Sequence, residues 1–68
     1  MDGSPQSFPD ATGKNVDEAV KTIQDMYPSL KVEKIEEGRP VTRDFRMDRV
    51  RVFYDKNTNL VVGVPKKG

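Results

Sequence analysis

The chain has 68 residues, 34% of them hydrophobic and 34% charged, enough for one domain with a small core. It contains no cysteine and no histidine, which excludes a disulfide framework, a thiolate nucleophile, a Cys/His zinc site and an internal Ser-His-Asp triad. A net charge of +1 draws neither nucleic acid nor membrane, and so short a chain can hardly build a cleft that buries a substrate, so neither an enzyme nor a cofactor is expected.

In chain order, "MDGSPQS" is small and polar and is expected to be a flexible arm over 1–7, ahead of a domain spanning 8–68. It lacks the basic and apolar regions of a signal peptide, and no apolar run approaches the ~20 residues of a membrane span. The expectation is a soluble protein, extracellular if a leader has been removed. Phe8 is the first large apolar residue and is expected to anchor the arm to the core.

"NVDEAVKTIQDMY" predicts a helix. Asn15 is a good N-cap, Glu18 fits the capping-box position, and Asp17 and Glu18 suit the positive end of the helix dipole. Val16, Ala19, Val20, Ile23, Met26 and Tyr27 follow the spacing of one buried face, and Pro28 stops the helix at about Tyr27. "LKVEKI" predicts a short strand. "RVRVFYD" alternates more strictly, with Val50, Val52 and Tyr54 on one face and Arg49, Arg51 and Phe53 on the other. "NLVVGVP" predicts a third strand, joined to the second by a turn at "DKNTN".

Between the first two strands lie thirteen residues, 36–48, with little regular pattern. That is too long for a tight hairpin and about right for a crossover between parallel strands. All five arginines fall at or beside this loop, at 39, 43, 46, 49 and 51, while all seven lysines lie elsewhere. With Val50 and Val52 on the core, Arg49 and Arg51 project from the opposite face, where the loop can fold back over them. Guanidinium is a planar fork of five donors that braces carbonyls, carboxylates and hydroxyls together, which an ammonium does not. Thr42 and Asp44 offer a hydroxyl and a carboxylate on either side of Arg43. If both turn inward, Arg43 turns outward.

This arrangement resembles the potato inhibitor I family of serine-protease inhibitors. The likeness rests on "SFP" at Ser7 to Pro9, "GK" at Gly13 and Lys14, "YP" at Tyr27 and Pro28 and "EG" at Glu37 and Gly38. It continues through "PVT" with Asp44 following one residue later, "RVRVFY" at Arg49 to Tyr54, and a late "VP" with Gly68. The resemblance implies an α+β fold: a single helix packed on a small mixed parallel/antiparallel sheet, with an extended, exposed binding loop joining two parallel strands. It implies a disulfide-free, monomeric inhibitor whose reactive bond is Arg43–Asp44 and whose protease-contacting loop comprises Pro40, Val41, Thr42, Arg43, Asp44, Phe45 and Arg46. Thr42, Asp44, Arg49, Arg51 and Gly68 would support that loop. Arginine at the primary specificity position implies trypsin-like proteases first and subtilisin-like ones second. Furin-type enzymes rank low, because Pro40 stands where they prefer a basic residue. The chain departs from the family at Met47, where plant relatives carry a disulfide cysteine, and at Ala11, Thr12 and Lys34, where larger apolar residues are common.

The rival reading is a nucleic-acid-binding module built on the arginines of 39–51 with Phe45 as a stacking platform. Asp44 and Asp48 interrupt such a patch, and the net charge gives it no support. No nucleic-acid partner and no membrane partner is expected.

Overall fold

A computed structural model describes residues 4–41 and 44–68. A single-turn 3-10 helix, Pro9–Ala11, precedes helix α1, Val16–Met26; the strands are β1, Lys31–Glu36, β2, Arg49–Tyr54, and β3, Lys66–Lys67. They form one sheet in the order β1-β2-β3, with β1 and β2 parallel and β2 and β3 antiparallel. The α+β class and the mixed sheet agree with expectation.

Helix α1 begins where Asn15 turns its side-chain oxygen onto the N–H groups of Asp17 and Glu18, at 2.9 and 3.3 Å. Its buried stripe is Val16, Ala19 and Ile23, which meets Leu30, Val50, Val52, Val61 and Ala11 in one core. Val20 and Tyr27 pack at its edge, whereas Met26 points to solvent. Met26 was expected on the buried face. At 100° per residue Tyr27 continues the line from Ile23 more closely than Met26 does, and the ring takes the place. Fully burying a valine contributes ~1.5–3 kcal/mol, and Val50 and Val52, both 0% exposed, sit where helix and sheet meet.

A glutamine that periodicity does not single out ties helix to sheet. Gln24 Nε2 donates to the Leu30 carbonyl at 2.6 Å, and its Oε1 accepts from the Val32 N–H at 3.3 Å, so α1 sets where β1 starts. The pairing of Lys31 with Arg49 through Glu36 with Tyr54 then fixes the two strands that flank the loop.

The third strand differs from its expected span of 59–65. The 55–59 turn forms as foreseen, with Asp55 Oδ1 accepting from the Asn57 N–H at 2.7 Å and Asn59 at φ +59°. Val61 then faces Tyr54 across an isolated bridge, but regular pairing resumes only at Lys66–Lys67, opposite Arg51 and Val50. Two residues of β2, Val52 and Phe53, thus lie opposite four of the partner, 62–65, a bulged return. Gly63, at φ +68°, and Pro65, which has no N–H, fall in the bulge. The carbonyls it frees are taken by the N-terminal segment: Thr12 Oγ1 donates to the Gly63 oxygen at 2.7 Å and the Phe8 N–H to the Pro65 oxygen at 2.9 Å.

Phe8 packs at the core's edge with its ring centroid 5.8 Å from that of Tyr27. Within the stretch expected as a flexible arm, Ser7 bridges to Lys66 and the Gln6 carbonyl accepts from the Lys67 N–H at 3.0 Å. The departures at Ala11, Thr12 and Lys34 have local partners as well. Ala11 is buried in the core, Thr12 binds Gly63, and the Lys34 ammonium lies 2.8 Å from Asp17 on α1.

Candidate functional site

The loop from Glu37 to Asp48 leaves β1 through a turn in which the Arg39 N–H donates to the Glu36 carbonyl at 3.1 Å and Gly38 adopts φ +92°. It returns through Met47 and Asp48, whose carbonyl accepts from the Lys31 N–H at 2.7 Å. Between these feet every described residue is exposed. Below Pro40 and Val41 lies an open hollow of about 560 Å³, walled by Arg49, Arg51 and Tyr54 among others. Among the described residues, polar contacts tie the loop to the sheet.

Those contacts converge on Asp44. Its main-chain carbonyl accepts from Arg49 Nη2 at 2.7 Å, and its Oδ2 accepts from Arg49 Nη1 and from Arg46 Nε, each at 3.2 Å. Arg51 Nη2 lies 3.7 Å from Oδ1 as an ion pair. The third arm of the Arg49 fork, Nε, donates to the Gly68 carbonyl at 2.7 Å, while the Gly68 N–H donates to the Arg49 carbonyl at 2.9 Å. Arg49 itself is only 7% exposed. A cation so covered would be unfavourable without partners; here all three of its donor nitrogens are engaged by charged or carbonyl oxygens.

Of the residues singled out in the sequence, Asp44, Arg46, Arg49, Arg51 and Gly68 come together at this point. Pro40, Val41 and Phe45 are exposed around it, and Thr42 and Arg43 lie outside the described residues. Phe45 is 65% exposed, and one edge of its ring rests over Gly68, where an added Cβ would meet it at 3.7 Å. The outward projection of Arg49 and Arg51 has a different outcome from that of solvated arginines, since the loop and Gly68 cover Arg49. Of the five arginines that the nucleic-acid reading needs on an open face, Arg49 is thus buried, and Arg51 stands beside Asp44 with its side chain mostly covered.

Arg46 was expected only to meet the protease, yet it also holds Asp44. The signal was available: in an extended segment residues two apart share a side, so Arg46 falls on the side of Asp44. At the other foot Arg39 pairs with Glu36 at 3.6 Å, an exposed contact of little weight. Among the described residues no three His, Cys, Asp or Glu side chains gather to hold a metal ion. Of the six large hydrophobic residues left exposed among the described residues, three, Val41, Phe45 and Met47, stand on this loop. Concentrated on a braced projection, they suit contact with another molecule.

Comparison with known proteins gives consistent results. The model of the potato inhibitor I family matches residues 2–68. The chain is 48% identical over 63 residues to eglin C of Hirudo medicinalis, covering 93% of this chain and 90% of that one. It is 40% identical over 62 residues to an inhibitor of trypsin and Hageman factor from Cucurbita maxima, covering 91% and 90%. Its fold superposes on the crystal structure of bitter gourd trypsin inhibitor with a TM-score of 0.88 at 29% identity, covering 100% of this chain and 98% of the other. The family is one of protease inhibitors, not of enzymes. With that match over nearly its whole length, carried on one helix, a three-stranded mixed sheet and an arginine-braced loop, the chain belongs to the potato inhibitor I family.

Proposed function

We propose that this chain is a substrate-like, reversible, tight-binding inhibitor of serine proteases, acting as a monomer through the loop Pro40 to Arg46, with Arg43–Asp44 as its reactive bond. The observation that carries this reading is the hold on Asp44: the residue that follows the proposed bond is fixed by backbone and side chain to the nearly buried Arg49.

A free peptide gives up ~1–2 kcal/mol per residue when its backbone is fixed, or ~6–12 kcal/mol over the six residues from Val41 to Arg46. A loop braced during folding has already lost much of that freedom, so more of its contact energy appears as affinity. Nanomolar binding corresponds to about −12 kcal/mol, so preorganisation of this size separates a tight inhibitor from an ordinary substrate.

The same contacts account for slow turnover. When the protease serine attacks the Arg43 carbonyl and the peptide bond breaks, the new amine belongs to Asp44. Tied to Arg49 and Arg51, Asp44 stays in place, blocks the deacylating water and is poised to re-form the bond. Arg43 selects the target, because trypsin-like proteases carry an aspartate at the base of the primary pocket that pairs with a guanidinium. Relatives whose names include trypsin support that preference, and subtilisin-like enzymes are the second class.

The test is a titration of trypsin, chymotrypsin and subtilisin with the chain and with Arg43→Leu. Stoichiometric inhibition of trypsin is expected, with preference moving toward chymotrypsin in the variant. Undiminished trypsin affinity in Arg43→Leu would refute the assignment of the bond.

A further inference from the structure

Strand β3 has only two residues, yet it delivers Gly68, whose carbonyl receives the Arg49 Nε proton. One side of this short segment faces β2, through the Gly68 N–H to the Arg49 carbonyl. The Lys67 N–H points the other way, as alternation along a strand requires, and meets the Gln6 carbonyl at 3.0 Å. Beside it Ser7 bridges to Lys66, the Phe8 N–H donates to the Pro65 carbonyl at 2.9 Å, and Lys67 Nζ donates to the Ser4 carbonyl at 3.3 Å. The arm is in effect a further strand, and without it the two-residue β3 would be a free edge.

We propose that Gln6 and Lys67 are positioning residues for the inhibitory loop, acting through the backbone bond between them. The path is short. Gln6 holds Lys67; the next residue, Gly68, is bonded in both directions to Arg49; and Arg49 holds the Asp44 carbonyl. The Phe45 ring stands beside Gly68, 3.7 Å from where a Cβ would lie. The arm thus acts at a distance on whether Asp44 stays fixed. This inference rests on the inhibitor reading above.

Lys67→Pro in the full chain removes the N–H that faces the arm and leaves the Lys66 and Gly68 groups that face β2. Lys67→Ala keeps the Lys67 N–H while removing its side-chain contact with Ser4, and serves as the conservative variant. A variant at Ile23 on the helix, matched to Lys67→Pro in urea midpoint, accounts for general destabilisation. Trypsin is expected to cleave Arg43–Asp44 in Lys67→Pro about fivefold faster than in the matched Ile23 variant, the size of one lost backbone hydrogen bond. Lys67→Ala should stay within about twofold of the parent. Equal cleavage of Lys67→Pro and the Ile23 variant overturns the proposal.

If Lys67→Pro does not fold, amide hydrogen exchange of the unaltered chain decides. Protection of the Lys67 and Gly68 N–H groups within about fivefold of each other means that arm and brace open as one unit. A wider gap, with Lys67 exchanging faster, means that the arm detaches without releasing Gly68, and the proposal fails. Absence of protease inhibition by the unaltered chain would instead defeat the functional reading, and the exchange comparison would still be decided.

Discussion

Arg49→Lys separates charge from geometry at the site. The positive charge remains, but one ammonium nitrogen must replace three guanidinium nitrogens that now meet Gly68 O, Asp44 O and Asp44 Oδ2 at 2.7, 2.7 and 3.2 Å. Two of three charge-assisted bonds are lost, a gross ~3–6 kcal/mol at ~1.5–3 kcal/mol each. Water repairs part of this, because Asp44 is exposed. What reaches the binding constant is the backbone freedom returned to Asp44 and Phe45, ~2–4 kcal/mol at ~1–2 kcal/mol per residue. The expected result is an inhibition constant against trypsin weakened by about 30- to 900-fold, accompanied by cleavage at Arg43–Asp44. The assay is a tight-binding titration run beside urea denaturation, so that the loop effect is read apart from the global one. If Arg49→Lys binds as tightly as the parent and stays uncleaved, charge alone positions the loop and the fork is irrelevant.

Three further outcomes concern the scaffold. Asn15→Ala removes the acceptor of the Asp17 and Glu18 N–H groups and should lower unfolding free energy by ~1 kcal/mol in urea, with inhibition unchanged. Gly38→Ala meets no atom within 4 Å, but its backbone is at φ +92°; strain alone should cost about 1–2 kcal/mol of stability on the same assay. The Lys34 amine titrates above its ordinary value of 10.5, first because its ammonium donates a hydrogen bond to Asp17 and then because of the Asp17 charge. A raised folded-state value means that this pair stabilises the protein fully below pH 10.5 and ceases to do so as pH rises through the raised value. Asp17→Asn should therefore remove part of the alkaline loss seen in urea midpoints measured from pH 9 to 12, and an identical pH profile in the variant would count against the pair.

The parts of the fold legible in the sequence are those where one local rule acts alone. Helix α1 announces itself through Asn15, the spacing of Val16, Ala19 and Ile23, and Pro28. Strand β2 does so through strict alternation, while the loop's length only allowed a parallel crossover, which the resemblance implied. The third strand was misplaced because its pairing depends on a two-residue slip, which Gly63 permits but does not announce. The arm at Gln6 and Ser7 reads as disorder by composition, since its order comes from backbone groups that Lys66 and Lys67 supply from the far end of the chain. Within the site, alternation and guanidinium chemistry turned Arg49 and Arg51 toward the loop, and the resemblance supplied Asp44 as their partner. The grip of Arg46 on Asp44 was equally open to that logic. The nearness of Phe45 to Gly68 was not, because nothing local relates the two.

Why a loop of this kind is braced by arginines rather than by core follows from what it must expose. A loop secured by apolar side chains would turn Val41, Phe45 and Met47 inward, and these are the side chains left standing in solvent. Securing it instead through a main-chain carbonyl and one short carboxylate, from a cation beneath, leaves Val41, Phe45 and Met47 free to face outward. It also explains why the fork must be buried: at 7% exposure Arg49 has little water to compete for its donors, so its bonds to Asp44 and Gly68 hold more firmly than the same bonds would at the surface. Filling the hollow with apolar side chains would draw the loop toward the sheet, at the expense of the surface proposed for contact with a protease.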